Sequence, residues 1–265
     1  MNMFLHELKA YRKSTIIWTC SLAALVVVFL SLYPAFSKDV ETVKNLFKGF
    51  PEAVRKAFGF EMENFFSILG FYSFLFMYVT LCGSIQAMNL GTSIVSKEIR
   101  EKTADFLLSK PVSRKEILTA KLLAAFTSLV VTNTIFLIIA NTMTMAVKSE
   151  DYSIKIFLLI SITLFSIQLF FLSLGVVVSV IFSKIKSVIS VSLSTVFGFF
   201  IISMVGSIIG DEAVRYITPY KFYDNAYIMN NASYEPVFVI IEVVFIITAI
   251  AASYLIYAKK DIHTV

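Results

Sequence analysis

Apolar residues gather into six long runs separated by short polar breaks: Thr15 to Tyr33, Phe65 to Leu90, Ile117 to Val147, Ile154 to Phe182, Val188 to Ile209 and Pro236 to Ala258. A helix needs about 20 apolar residues to cross a bilayer, and each run is near that length or beyond it. The third and fourth exceed it, so they are expected to tilt or project into water. Two longer polar intervals remain. Residues 34–64 carry apolar and basic positions at helical spacing on either side of Gly49-Phe50-Pro51, which predicts two short amphipathic helices at a membrane surface. Residues 210–235 contain the proline-aromatic stretch I-T-P-Y-K-F-Y-D. The pattern predicts a single domain over 1–265: an all-α polytopic membrane protein with six transmembrane helices.

Composition agrees with the pattern. The chain is 58% hydrophobic and 15% charged, with a mean hydropathy of +0.82, whereas soluble domains carry about 25% charged residues. That excludes soluble, disordered and fibrous classes. The first run follows Lys9, Arg12 and Lys13, as a signal peptide would. It is too long for one, and Leu32 to Ser37 offers no convincing small-x-small cleavage site, so it reads as a retained span. Six spans place both termini on one side, together with the 91–116 and 183–187 connections. With Lys121, just inside the third run, that side holds 14 of the 23 Lys and Arg, so it is predicted to be cytoplasmic. The net charge of +5 therefore reports orientation, and no nucleic-acid partner is expected.

The chemistry that is absent narrows function. His6 and His263 lie in the two termini, and Cys20 and Cys82 lie inside apolar runs without a C-x-x-C pattern, so no histidine or cysteine metal site is expected. No phosphate-loop motif occurs. Gly206-Ser207-Ile208-Ile209-Gly210 sets its serine one position away from a nucleophile elbow. The chain is expected not to be an enzyme and to carry no cofactor of its own. Uphill transport would draw on an ion gradient or another subunit.

The most informative interval is Thr92 to Lys115, T-S-I-V-S-K-E-I-R-E-K-T-A-D-F-L-L-S-K-P-V-S-R-K. At 100° per residue, Val95, Ile99, Thr103, Phe106 and Leu107 share one arc, opposite Lys97, Glu98, Glu101 and Asp105. This predicts an amphipathic helix over about 92–110, ended by Pro111. Ser113 with Glu116 then forms a capping box at the start of the third span.

The run from Glu98 to Arg114, with L-L-S-K-P-V-S-R at its end and Lys121 following, resembles the signature of ABC type 2 permeases. The resemblance extends over the whole chain, including a short amphipathic helix at Met3 to Lys13 with Phe4, Leu8 and Tyr11 on one face. Family members commonly have Gly where Lys102 stands. The resemblance implies a permease that works as a dimer, or with a related permease, on cytosolic ABC ATPase subunits that hold the ATP and Mg. It implies that the 92–110 helix is a coupling helix. By carry-over Glu98, Arg100, Glu101, Thr103 and Arg114 meet or brace the ATPase, and Leu107, Leu108 and Pro111 fix the helix to the membrane domain. In such permeases the second and fifth spans enclose the export path, so Phe71, Tyr72, Phe76, Thr195 and Phe199 form a candidate lining set. The expected location is the cell membrane, as in a bacterial plasma membrane, and the expected cargo is a peptide, antimicrobial, drug or lipid-like molecule.

Glu242 is the acid that lies well inside a span, about 9 Å below the outer boundary at 1.5 Å per residue. It is either a functional group on the path or a carboxyl bonded to a neighbouring helix. Asn89, Asn133, Asn141 and Gln168 read as interhelical hydrogen-bonding groups. Ser190, Ser194 and Gly198, with Ser203 and Ser207, place small residues four apart on the fifth span, suited to close packing between spans or between subunits. A gradient-driven transporter or channel, and a non-transporting membrane sensor or scaffold, are the competing functional classes.

Overall fold

The structure, a computed structural model, describes residues 3–58, 65–100, 112–182 and 185–259, with backbone alone at 98–100. It is helical, with no strand among the described residues. Six helices are long and apolar enough to cross a membrane: α1 (Met3–Lys38), α4 (Ile68–Arg100), α5 (Arg114–Val147), α6 (Ile154–Ile181), α7 (Val188–Ile209) and α9 (Pro236–Lys259). Short helices α2 (Val40–Lys48) and α3 (Glu52–Ala57) follow α1. Two 3-10 turns (Glu212–Tyr216 and Pro219–Lys221) and α8 (Asn225–Asn231) connect α7 to α9. α2 and α3 are the two amphipathic segments expected around Gly49-Phe50-Pro51.

Two helices are longer than the apolar runs alone predict. The Met3–Lys13 arm is not a separate surface helix but the first three turns of α1. No proline or glycine interrupts it, and Glu7 and Tyr11 are buried against neighbouring helices. Likewise α4 does not stop at Leu90. Thr92, Ile94, Val95 and Ser96 are buried, and Ser96 Oγ donates to the Thr92 carbonyl at 2.6 Å. The predicted 92–110 helix therefore begins, over 92–100, as the end of α4. Its remainder, 101–110, lies outside the described residues. α5 starts as expected: Ser113 Oγ accepts from the Glu116 amide at 3.3 Å, and the Glu116 carboxylate accepts from the Ser113 amide at 2.8 Å.

The bundle is built around α4 and α6, which pack along one another, while α1 lies against α5 and α9 against α6. Glycine makes the central contact possible. A Cβ on Gly91 would sit 2.3 Å from the Leu172 carbonyl, and one on Gly175 would sit 2.8 Å from the Met88 carbonyl and the Thr92 amide. The outer faces carry Ile16, Ile17, Ile138, Ile201, Ile247 and Leu255, all exposed, as helices facing lipid do. The start of α1 and the end of α9 lie at one end of the bundle, since Arg114 reaches the Tyr257 carbonyl and Lys121 reaches Glu7.

Polar side chains tie four spans together at the centre. Thr19 on α1 bonds Thr132 on α5 at 3.0 Å, and Gln86 on α4 donates to the same hydroxyl at 3.0 Å. Gln168 on α6 donates to Gln86 Oε1 at 3.2 Å and accepts from Asn133. Asn133 and Gln168 thus bond between helices as expected. Asn141 stays on its own helix, near the Met145 sulfur. Gln168→Ala should leave Gln86 and Asn133 short of partners and cost about 1 kcal/mol, the scale of interhelical hydrogen bonds in membranes. A thermal melt of the purified protein in detergent measures it.

Candidate transport path and coupling end

At the end bearing the termini, three helices converge on one buried ion pair. Lys121, on the second turn of α5, has no exposed surface, and its Nζ lies 3.2 Å from Glu7 Oε1 and 3.0 Å from the Ile94 carbonyl. The pair joins the first turns of α1 to the end of α4 and the start of α5. Beside it, Ser93 Oγ bonds the Tyr11 hydroxyl at 3.4 Å, and the Lys97 ammonium lies 5.8 Å from the Tyr11 ring centroid. Arg114 Nη1 lies 3.5 Å from the Tyr257 carbonyl and Thr119 bonds Tyr254 at 2.7 Å, which brings in α9. Of the expected coupling residues, Arg114 is placed here. Glu98 and Arg100 lie on the end of α4 with backbone alone described, and Glu101, Thr103, Leu107, Leu108 and Pro111 lie outside the described residues.

At the opposite end a cavity of about 510 Å³ opens between α4, α6 and α7, roofed by α3 and the 210–229 segment. Its deep wall is Phe76, Thr80, Thr163, Ile167 and Phe200, and its mouth carries charged residues of both signs. Local contacts hold this shape. Gly206 lacks the side chain that would collide with Val214, so the 212–216 turn lies on α7. Gly210, at φ +73°, ends α7 in the left-handed conformation that glycine adopts without strain. Thr218 Oγ1 donates to the Phe199 carbonyl at 3.1 Å, and Asn225 Nδ2 donates to the Ser73 carbonyl at 3.4 Å.

Only part of the expected lining set meets this space. Phe76 lines it. Phe71 and Tyr72 are buried in the bundle instead, Phe71 against Tyr33 and Tyr72 bonded to Ser161 at 2.9 Å. Phe199 packs edge-on against Phe170 and Phe171, and Thr195 lies in the half of α7 nearer the termini. The physical reason for Thr195 is the direction of α7, which runs toward the cavity end; for Phe71, Tyr72 and Phe199 it is helix face, since their neighbours Gly70, Ser73 and Phe200 line the cavity while they turn into the bundle. Glu242 is buried one side chain behind the wall, accepting a hydrogen bond from the Tyr223 hydroxyl, and Tyr223 lines the cavity. Its Oε1 has no partner among the described residues. In the same layer Tyr234 donates to the Leu159 carbonyl at 2.7 Å, and burial pushes its hydroxyl up to about 12.

Sequence reasoning missed Glu7 and Lys121 as a pair, Tyr223 as the partner of Glu242, and Gly91 with Gly175 as the central contact. Signals existed for two of these. Lys121 falls four residues inside an apolar run, and Gly175 interrupts a run of large side chains. No spacing rule linked Glu7 to Lys121 or Tyr223 to Glu242.

Six apolar helices closed around a buried centre, with a cavity at one end and a tightly tied opposite end, define a multi-pass membrane protein of the transporter class. Residues 1–262 match the family described as ABC-2 family transporter protein, and the chain belongs to that family. It is a membrane permease component of an ABC transporter. A comparison with curated proteins finds no match.

Proposed function

We propose that this chain is the transmembrane permease of an ATP-driven exporter, moving an amphipathic or hydrophobic cargo and coupled to a separate cytosolic ABC ATPase that binds ATP and Mg. The observation that carries the reading is the family match over 1–262 on a bundle whose cavity lies at the end opposite the termini. The charge distribution makes the terminal end cytoplasmic, so the cavity faces outward. At the cytoplasmic end the 98–114 segment meets the ATPase, through Glu98, Arg100, Glu101, Thr103 and Arg114. Closure of the ATPase then moves α4 and α5 together, because the Glu7–Lys121 pair ties both to α1. A second copy, or a related permease, completes the exporter. Ser190 and Ser194 are exposed on α7, and a Cβ on Gly198 would meet nothing within 4 Å, a surface suited to close helix approach.

A gradient-driven transporter is the second reading, and Glu242 is the observation that favours it. A relay of protons or ions through the membrane draws on several ionisable groups at depth, and the Glu242 carboxyl is already bonded to Tyr223. The test is charge reversal. Glu98→Lys with Glu101→Lys should abolish ATP-driven efflux of an amphipathic dye while leaving membrane insertion and the thermal midpoint unchanged. Full ATP-driven efflux by the folded double variant would refute the coupling assignment.

A further inference from the structure

The cavity at the end remote from the termini carries a charge pattern that the permease reading does not use. Most of the charges at its mouth are committed. Lys56 pairs with Glu52 at 2.7 Å, and Arg215 pairs with Glu235 while stacking 4.2 Å from the Phe238 ring centroid. Asp211 caps the Ala213 amide at 2.9 Å and Asp224 caps the Ala226 amide at 2.8 Å. Glu212 is exposed, where water and salt screen it. Lys221 also lines the cavity and is likewise engaged. Arg55 differs from all of these. It projects from α3 into the lining, it is half-buried, and its Nε is buried without a hydrogen-bond partner among the described residues. A buried donor on a permanent cation with no acceptor is costly, and an anion with two or more oxygens satisfies it.

Below Arg55 the lining includes a group of large apolar side chains, Phe74, Phe76, Met77, Ile167 and Phe200. The volume of about 510 Å³ falls in the roughly 300–1,000 Å³ range of small-molecule sites. It holds one chain of a lipid-like molecule and is too small for a folded peptide. Hydroxyls also line the walls, from Thr80, Thr163, Ser203, Tyr220 and Tyr223; those of Thr80 and Thr163 are bonded to their own helices and that of Tyr223 to Glu242.

We propose that this cavity binds a single-chain anionic amphiphile, with its acidic head on Arg55 and its chain against the phenylalanine-rich wall between α4, α6 and α7. The site deepens the permease reading by naming what the outer cavity takes, but binding needs no ATPase, so the two stand or fall separately. An acidic head on an alkyl chain could belong to a membrane lipid resident in the site or to the cargo itself.

The test is equilibrium binding of radiolabelled dodecyl phosphate to the purified full chain in phosphatidylcholine nanodiscs, with protein-free nanodiscs as the blank. Saturable binding is expected, weakened about tenfold or more by Arg55→Gln, as loss of a charge-assisted contact implies, and largely restored by Arg55→Lys. Ser203→Phe, which fills the wall, should abolish binding, with the thermal midpoint checked in the same samples. Dodecyltrimethylammonium should not compete. Absence of saturable binding, equal affinity in Arg55→Gln, or tighter binding of the cationic probe would each overturn the proposal. Displacement of the probe by lysophosphatidylglycerol, which carries one acyl chain, would support it with a resident lipid as the source. ATP-driven release of the probe by the assembled transporter would support it with cargo as the source.

Discussion

Lys121→Met is expected to destabilise the protein by about 3–5 kcal/mol, the cost of breaking a buried ion pair from one side. Lys121 is fully buried and its ammonium serves both Glu7 and the Ile94 carbonyl. Once it is gone, the Glu7 carboxylate stays 6% exposed, with its Oε2 already lacking a partner among the described residues. The damage should concentrate where the pair acts. The first turns of α1 and the end of α4 should lose hydrogen-exchange protection, while the central Gln86–Gln168 layer keeps it. Replacing both partners, Glu7→Gln with Lys121→Met, should recover part of the loss, because no charge is then left buried. Thermal midpoints of the two variants measure this. A double variant no more stable than the single one would show that the pair is not what holds the terminal end together.

Gly175→Leu is expected to cost about 3 kcal/mol or more, at the upper end of overpacking penalties. The atoms that a side chain would strike are the Met88 carbonyl and the Thr92 amide, both backbone of α4 at 2.8 Å. No rotamer change relieves such a clash, so α4 and α6 must separate and lose their close contact. Gly91 meets Leu172 in the same way at 2.3 Å, so Gly91→Leu should behave alike. Gly198→Ala is the control. A Cβ there meets nothing within 4 Å, and alanine favours a helix over glycine by about 1 kcal/mol, so the isolated chain should be unchanged or slightly more stable. Loss of folded protein in Gly198→Ala, with Gly175→Leu tolerated, would reverse this account of the packing.

The spans were legible because hydrophobic length is a property of the chain alone. The run from Val188 to Ile209 matches α7 residue for residue, and Ser113 with Glu116 gave the start of α5. Helix ends were less legible wherever a neighbour, rather than a local signal, decides them. Gly91 and the polar Thr92-Ser93 pair look like the end of a span. In the bundle Gly91 is a contact point with α6, and the helix runs on to Arg100. The Met3–Lys13 arm reads as a separate amphipathic helix from Phe4, Leu8 and Tyr11 on one face, yet burial of Glu7 on Lys121 makes it the start of α1. Position relative to the cavity was less legible for a different reason. Periodicity says which face of a helix is apolar, but not how deep a residue lies relative to one on another helix. Glu242 stood out from its sequence, whereas its partner Tyr223, 19 positions away in an irregular segment, did not.

The central claim, that this permease works through a separate ATPase, is tested most directly by the ATPase content of the protein purified from its own membranes. The account predicts that the folded chain co-purifies with a phosphate-loop ATPase in a fixed ratio. The complex should hydrolyse ATP, and Glu98→Lys with Glu101→Lys should lose the subunit. Folded, monodisperse permease that transports an amphipathic dye with no ATPase bound, and whose transport stops when the ion gradient is collapsed, would contradict it.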